Sequence, residues 1–320
     1  MKCIIICGVV SALGLSAQDS SVRTTTSVDI NGNRIADGPQ IQQTRSKNAS
    51  ETTERAQSIN GRIVPVERVE EHVVRDDASG RVVERLIRQY DPQGNPTAPM
   101  KETIEEQKRS DGSSTIQTTR YQSDINGDSR VIEKSITNIR KSGSTENIDT
   151  ELQRPGVYGS LETVQKKETV RVNDGKNYRE EATTYRKDGN GGFGVAIRQT
   201  TDHIEQGSES KDNTAEYELG SDGQLQLHSQ TVASTTTRPD GGKDSVVNLF
   251  GRNVPGTVDP DGKLKLYEQQ VIEQKTGPGN SVVETVSVRR PTVSDPNTLG
   301  PSRQISETVC KGKCGNSSAQ

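Results

Sequence analysis

Residues 115–127 read Thr-Ile-Gln-Thr-Thr-Arg-Tyr-Gln-Ser-Asp-Ile-Asn-Gly, a run of polar and β-branched residues that ends at an Asn-Gly turn signal. Part of this stretch recurs at 183–191, where Thr-Thr-Tyr is followed by Asp-Gly-Asn-Gly. Matching residues in the two copies lie roughly 64 to 66 positions apart. A fixed period of this size is typical of a supersecondary unit that is stacked on copies of itself. The sequence therefore predicts a tandem-repeat protein.

The repeat and the chain ends divide the sequence into four parts. We predict a signal peptide at 1–17, an N-terminal partial repeat or linker at 18–51, the tandem repeat region at 52–309, and a tail with a cysteine pair at 310–320. Atypical terminal copies are expected in repeat arrays because they cap the stack against solvent.

The first residues have the pattern of a signal peptide. A basic residue at Lys2 precedes an apolar run from Cys3 to Leu15, and small residues at Ser16 and Ala17 suit a cleavage site. The run is shorter than the ~20 residues that a transmembrane helix needs, and no later stretch approaches that length. We predict a secreted protein, extracellular or periplasmic, without insertion into a membrane.

Composition limits both the core and the partners. Hydrophobic residues make up 28% of the chain, against ~45–50% apolar residues in a typical globular domain, and Trp is absent. Such a chain can stabilise a thin sheet but cannot fill a thick core. The net charge of −3 provides no basic face, so nucleic acid is not an expected partner.

Turn signals alternate with strand-like segments along the chain. Asn-Gly and Asp-Gly dipeptides favour type I′ hairpin turns, because both central residues then need positive φ. The intervals are rich in Thr, Val and Ile, and residues such as Leu225/Leu227 and Val286/Val288 alternate as in a half-buried strand. The sequence predicts an all-β fold: an elongated antiparallel β-meander with about four strands per repeat. It leaves open whether the sheet stays open, rolls up or closes.

One region has apolar residues at helical spacing. Val82, Val83, Leu86, Ile87 and Tyr90 would fit one face of a helix. We interpret them as strand residues, because close turn signals flank them and β-branched residues are frequent.

Two features have residue types that occur in functional sites. Turns such as Asp29–Asn33 and Asp124–Asp128 are similar to the start of a calcium loop, which Glu133 would complete in one copy, but hairpin turns explain them more simply. Asp202 adjoins His203, yet neighbours on a strand point to opposite faces and do not pair. We therefore predict no catalytic centre, metal or cofactor.

Two cysteines lie near the end of the sequence. Cys310 and Cys314 are the only ones beyond the signal peptide, and in an oxidising compartment they predict a small disulfide loop. Free thiols, intermolecular bridging and a metal or redox role are the alternatives.

The segment Tyr90-Asp91-Pro92-Gln93-Gly94-Asn95 resembles the Tyr-Asp-x-x-Gly-Asn core of YD (RHS) repeats, which build extended β shells in secreted proteins. The match covers one turn, and the period of this chain is about three times that of the family. The resemblance implies shared hairpin chemistry at this turn.

These observations predict an exported, non-enzymatic repeat protein with a structural, adhesive or surface-associated role. Exposed sheet edges would allow self-association. A second hypothesis is a polysaccharide-binding module or weak carbohydrate-active enzyme that uses Tyr121 and Tyr185 as stacking platforms. A third is a largely disordered secreted chain.

Overall fold

The computed structural model describes residues 19–29, 33–35, 39–123, 129–220, 222–252, 263–292 and 298–314. They form eighteen β-strands of 8 to 16 residues and one short 3₁₀ turn, Pro278–Asn280. The strands are β1 (Asp19–Ser27), β2 (Gln40–Lys47), β3 (Ser50–Ile59), β4 (Arg62–Asp77), β5 (Gly80–Gln89), β6 (Met100–Lys108), β7 (Ser114–Ser123), β8 (Ser129–Ser142), β9 (Thr145–Pro155), β10 (Leu161–Asp174), β11 (Asn177–Lys187), β12 (Phe193–Gln206), β13 (Glu209–Leu219), β14 (Leu225–Thr237), β15 (Lys243–Gly251), β16 (Lys265–Thr276), β17 (Val282–Arg289) and β18 (Arg303–Gly312).

Each strand pairs antiparallel with the next one in sequence, and β1 also pairs with β18. That last pairing runs from Ser21 opposite Gly312 to Ser27 opposite Ser306. The all-β antiparallel meander expected from the sequence is confirmed, and the sheet closes on itself as a barrel. The strands that would have been the two free edges of an open sheet are therefore paired with each other.

The two ends of the barrel differ. We call the end that holds the connections from odd to even strands the loop rim, and it includes the long links β1–β2, β5–β6, β15–β16 and β17–β18. The opposite end, the turn rim, has short links from even to odd strands, such as Gly143-Ser144. Because β1 starts and β18 ends at the turn rim, both chain termini leave the barrel there.

The hairpin turns follow the glycines. Asn60 and Gly61 both have positive φ (51° and 72°), as a type I′ turn requires. In three other hairpins the glycine is the first of the two central residues, in Gly143-Ser144, Gly175-Lys176 and Gly207-Ser208. Positive φ is then confined to the glycine, which is the type II′ pattern. At Asp174-Gly175 the type I′ turn expected from the Asp-Gly dipeptide was therefore wrong.

The region with helical spacing is extended, as interpreted from the sequence: it forms β5. Val83 and Ile87 pair with Ile104 and Met100 on one face of the sheet. Val82 and Leu86 lie on the other face, so the apparent helical period arises because both faces carry apolar residues.

The two faces of the sheet differ in exposure. Side chains alternate along a strand and directly paired residues share a face, so the registers assign every strand residue to one of two faces. Nine of the ten buried strand side chains lie on one face, which we call the inner face; they are Val64, Val83, Glu102, Thr169, Ala182, Ser245, Gln274, Val288 and Cys310, with Thr119 as the exception. Side chains crowd together on a concave wall, so the inner face is the one that lines the barrel.

The barrel is hollow. Within the described part of the chain, no side chain is less than 2% exposed, and inner-face residues such as Ile116, Ile139 and Ile148 are only half-buried. Barrels of 16 to 18 strands are wide enough to enclose an aqueous channel. The low hydrophobic content is therefore consistent with the fold, since a wall around water needs no thick core.

Bulges mark the loop rim. Seven of the eight register shifts lie near this end, and four of them follow Arg55, Arg120, Thr184 and Leu249 on β3, β7, β11 and β15. Each of these seven shifts leaves one extra residue on the following strand, for example Tyr267 on β16.

None of the described residues belongs to a helix that is long and apolar enough to cross a bilayer.

Candidate functional site

The inner face carries a continuous row of alternating charges across six neighbouring strands. We call this row the inner ladder; its members are Glu71, Arg85, Glu102, Arg120, Glu133 and Arg154, on β4 to β9. Successive members are joined by hydrogen-bonded ion pairs with N–O distances of 2.7 to 3.1 Å. The row crosses the strands at right angles to their backbone direction, so it ties together hairpins that are distant in sequence.

Glu102 is the centre of the inner ladder. It is 3% exposed and accepts hydrogen bonds from Arg85 Nη1 at 3.1 Å and from Arg120 Nε at 2.7 Å. Burial alone would lower the pKa of Arg85, but the hydrogen bonds and charges of Glu71 and Glu102 outweigh it and raise that pKa. The pKa of Arg120 is raised in the same way, by Glu102 and Glu133. The central carboxylate is thus enclosed by two cations that hold their protons firmly.

Further polar contacts join neighbouring strands elsewhere on the inner face. Arg171 on β10 donates to Glu180 on β11 at 2.6 Å and lies 3.9 Å from Glu146 on β9. Hydroxyl pairs join neighbouring strands in five places, Thr25–Thr308, Thr44–Thr53, Thr137–Thr150, Thr201–Thr214 and Thr235–Ser245, with O–O distances of 2.8 to 3.2 Å. Cross-strand pairs of this kind contribute about 0.2–1 kcal/mol each.

A cluster of aromatic and charged side chains spans β10 to β13 near the turn rim. The rings of Tyr178 and His203 are stacked with centroids 4.9 Å apart, and the Arg171 guanidinium lies 4.9 Å from the centroid of Tyr178. His203 Nδ1 is 2.6 Å from Asp212 Oδ1. Burial, followed by the charge of Asp212, raises the pKa of Tyr178 above its ordinary value.

A cavity of about 650 Å³ adjoins this cluster. The side chains of Val172, Ile204 and Val232 line it from the outer face, whereas those of Tyr178, His203 and Asp212 belong to the inner face. The cavity therefore lies on the other side of the sheet from the stacked rings.

The structure places the three histidines, His72, His203 and His228, in strands, as expected from the sequence. Asp202 and His203 point to opposite faces, and Asp202 faces Arg179 at 3.7 Å instead. The sequence reasoning missed the true partner of His203. The signal was the Gly207-Ser208 turn, because a two-residue turn at that position sets His203 directly opposite Asp212.

The turn aspartates accept hydrogen bonds from their own turns. Asp188 accepts from the backbone N–H groups of Asn190 and Gly192, at 2.9 and 2.8 Å. Both oxygens of Glu133, the proposed distant calcium ligand, are bonded to arginines of the inner ladder. The turn 124–128 lies outside the described residues. Among the residues that are described, no group of three or more His, Cys, Asp or Glu side chains is arranged to hold a metal ion.

These turns predict a specific dependence of stability on pH. The hydroxyl of Ser113, and then its backbone N–H, hold the pKa of Asp111 below the ordinary value of 3.8, and the backbone N–H of Gly242 does the same for Asp240. A carboxyl whose pKa is lower in the folded state stabilises the fold fully above 3.8, and this contribution is lost as pH falls through the folded-state pKa.

We therefore expect the urea midpoint to fall as pH is lowered through 3.8, and Asp111→Asn combined with Asp240→Asn to flatten that dependence. The variant should be less stable than the wild type at neutral pH and should converge with it in strong acid. Urea titrations across this range measure the effect. An unchanged pH slope in the variant would show that other carboxyls control acid unfolding.

The cysteine pair is in position for the expected disulfide. Cys310, at the end of β18, and Cys314 have Cα atoms 6.0 Å apart and are joined through their sulfur atoms. Cys310 is buried on the inner face beside Arg23 and Val282. The loop ties the last strand back on itself at the turn rim, next to the start of β1.

Tyr121 and Tyr185 occupy equivalent places. Each lies on the outer face, directly after a bulge and two residues before its strand ends, and each has a lysine beside it on the preceding strand, Lys101 or Lys166. Tyr217 follows the same plan with Arg198 beside it. Burial, together with the bond from its hydroxyl to Glu168 at 3.1 Å, raises the pKa of Tyr185.

Comparison of this sequence with models of known protein families and with curated proteins finds no match to either.

Proposed function

We propose that the protein is an exported, non-enzymatic scaffold with a structural, adhesive or surface-associated role. The observation that carries this proposal is the use of polar side chains. On both faces they are engaged chiefly with one another: the inner ladder on one side, and pairs such as Lys101–Glu84 and Arg198–Glu181 on the other. Groups that are paired in this way hold neighbouring strands of the wall together.

Export is part of the proposal. The apolar segment 3–15 lies outside the described residues, so its support comes from the sequence. The Cys310–Cys314 bridge supports the same compartment, because disulfides persist where the environment is oxidising.

We also propose that the barrel is built from duplicated four-strand units. The bulges at Arg120, Thr184 and Leu249 recur after 64 and 65 residues, on every fourth strand. The hydroxyl pairs Thr137–Thr150 and Thr201–Thr214 are likewise 64 residues apart. Equivalent local geometry at the period of the sequence repeat supports duplication.

The outer face favours an aqueous surrounding for the body of the barrel. Ion pairs lie there on strands all around the wall, for example Arg68–Glu54, Arg140–Asp149 and Arg179–Asp202. Charges in hydrocarbon cost several kcal/mol each. We therefore propose that the wall does not span a bilayer, and we place contacts with other components at the rims, since the pairing of β1 with β18 leaves no free sheet edge.

The test is the state of the protein in its own cells. We expect it outside the cytoplasm, beginning at Gln18, with Cys310 and Cys314 resistant to alkylation until a reductant is added. Cell fractionation followed by mass spectrometry of the intact and alkylated protein measures all three. A cytoplasmic protein that retains Met1 and has two free thiols would overturn the proposal.

A second candidate is a polysaccharide-binding module. It is favoured by the half-exposed tyrosines at equivalent places on the outer face, Tyr121, Tyr185 and Tyr217, because aromatic rings are the usual platforms for sugars. A glycan array would support it if binding were lost on replacing Tyr121 and Tyr185 by Ala.

A further inference from the structure

One five-residue turn at the loop rim departs from its equivalents. Six turns share the same pair of backbone hydrogen bonds, from the first N–H to the fifth carbonyl and from the fourth N–H to the first carbonyl; they begin at Asp91, Arg109, Gly156, Asp188, Gly220 and Arg238. In five of them the third residue is polar: Gln93, Asp111, Asn190, Asp222 or Asp240. In the turn 156–160 the two central residues are Val157 and Tyr158, and each is 95% exposed.

The backbone of this turn does not require these side chains, because the other five turns adopt the same hydrogen bonds without them. Val157 and Tyr158 also contribute nothing to a core, since nearly their whole surface is in solvent. Exposed apolar residues that stabilise nothing within the fold indicate a contact with another component.

Below the tip of this turn, further exposed apolar side chains lie on strands at the same rim. We call them the rim belt: Ile63, Leu161, Phe193 and Leu219, on β4, β10, β12 and β13. Ile63 is 61% exposed and Leu219 is 47% exposed. The registers place Leu161, Phe193 and Leu219 in the last strand pairs of their hairpins and Ile63 in the pair before the last, all on the outer face.

The direction of these side chains indicates what contacts the rim belt. They point outward, and Ile63 on β4 lies across the barrel from Leu219 on β13, so a protein partner or a second copy on one side could not cover both. A medium that surrounds the rim can contact all of them at once. From this arrangement we infer that the loop rim dips into the surface of a lipid bilayer, with Val157 and Tyr158 inserted beyond the rim belt. The inference rests on the proposed surface-associated role and names the surface.

The depth of the belt limits the insertion. From Leu219 back to Tyr217 is two residues, or about 7 Å along the strand, and the basic neighbour of Tyr217, Arg198, is already ion-paired. A spanning barrel needs an apolar band of about 25 Å, whereas interfacial elements bury about 5–10 Å. The belt therefore suits shallow insertion, with the tyrosines at the level of the headgroups, where amphipathic rings are favoured.

The charged residues near the rim belt indicate whether binding should require anionic lipids. Lys101, Lys166 and Arg198, which flank the three outer tyrosines, each face a glutamate: Glu84, Glu151 and Glu181. Because these cations are neutralised within the protein, binding should depend on apolar contact and not on anionic headgroups. We expect similar binding to neutral and anionic vesicles, with little weakening by salt.

The test is vesicle flotation with protein that begins at Gln18, immediately before β1, so that the apolar segment 3–15 cannot contribute. We expect it to float with pure phosphatidylcholine vesicles. The double variant Val157→Ser/Tyr158→Ser should lower the partition constant at least about tenfold, because it removes the two apolar side chains that are most exposed among the described residues. Phe193→Ser/Leu219→Ser should lower it as well.

The matched control is Val170→Ser/Val172→Ser, which removes two outer-face valines of 44% and 46% exposure near the turn rim and should leave flotation unchanged. Wild-type protein that stays unbound, or an equal loss in the control, would overturn the inference. The inference would also be overturned if the protein did not bind vesicles but formed a dimer or bound a glycan, and only Val157→Ser/Tyr158→Ser abolished that interaction. Because the assay uses purified protein, a negative flotation result would not contradict the proposal of an exported scaffold. Conversely, a cytoplasmic location in cells would not change the flotation result.

Discussion

Replacing Glu102 by Gln is expected to lower the free energy of unfolding by about 2–3 kcal/mol. The substitution keeps the shape of the side chain but removes the charge that Arg85 and Arg120 face from the two neighbouring strands. Breaking a fully buried pair costs about 3–5 kcal/mol, and here the two arginines remain about one-third exposed, so water recovers part of the loss. Urea denaturation at neutral pH measures the difference.

Glu84→Gln provides the matched control. Glu84 lies on β5, one strand away, and pairs with Lys101 at 2.9 Å on the outer face, where both side chains are exposed. Exposed pairs contribute little, so this variant should stay within about 0.5 kcal/mol of the wild type. Equal effects of the two substitutions would contradict the view that the inner ladder stabilises the barrel more than the outer pairs do.

Removing β1, residues 19–27, is expected to abolish the monomeric barrel. This strand pairs with seven residues of β18 and seven of β2, so its loss opens the ring and leaves two unpaired edges. Free edges of this length pair with other chains. We expect oligomers or aggregates in light scattering coupled to size exclusion, together with a broadened thermal transition.

A circular permutant separates the loss of closure from the loss of chain continuity. The N–H of Lys313 lies 3.2 Å from the carbonyl of Ser20, so the natural ends can be joined by a short linker and new ends placed between Gly143 and Ser144. This protein should remain a monomer with nearly the wild-type melting temperature. A monomeric, cooperatively folded deletion protein would show that closure is unimportant for stability.

Local features of the fold could be predicted from the sequence because short turns determine how the two flanking strands pair. The Gly207-Ser208 turn determines the register of β12 against β13, and the strands around Val82 to Ile87 were recognised from their flanking turns. Equivalent placement of Tyr121 and Tyr185 was visible as a repeat in the sequence. The cysteine pair followed from spacing and the expected compartment.

Long-range features were not predictable from the sequence. Closure joins Thr25 to Thr308, and nothing in the sequence around either residue specifies a partner that far away. The inner ladder depends on the registers of six strands at once, and register shifts such as the one after Arg120 change which residues are opposite each other. A bulge also reverses which face the following residues occupy, so alternation identifies a face only locally.

Both chain ends leave the barrel at the turn rim, and Val157 and Tyr158 project from the other mouth. With strands of about ten residues inclined to the axis, the two mouths are on the order of 25 Å apart. A passenger domain fused to either terminus would therefore be held at a fixed height above whatever surface the tips engage, facing away from it. The closed barrel would hold that domain rigidly, in an orientation set by the strand topology, and not through a flexible linker.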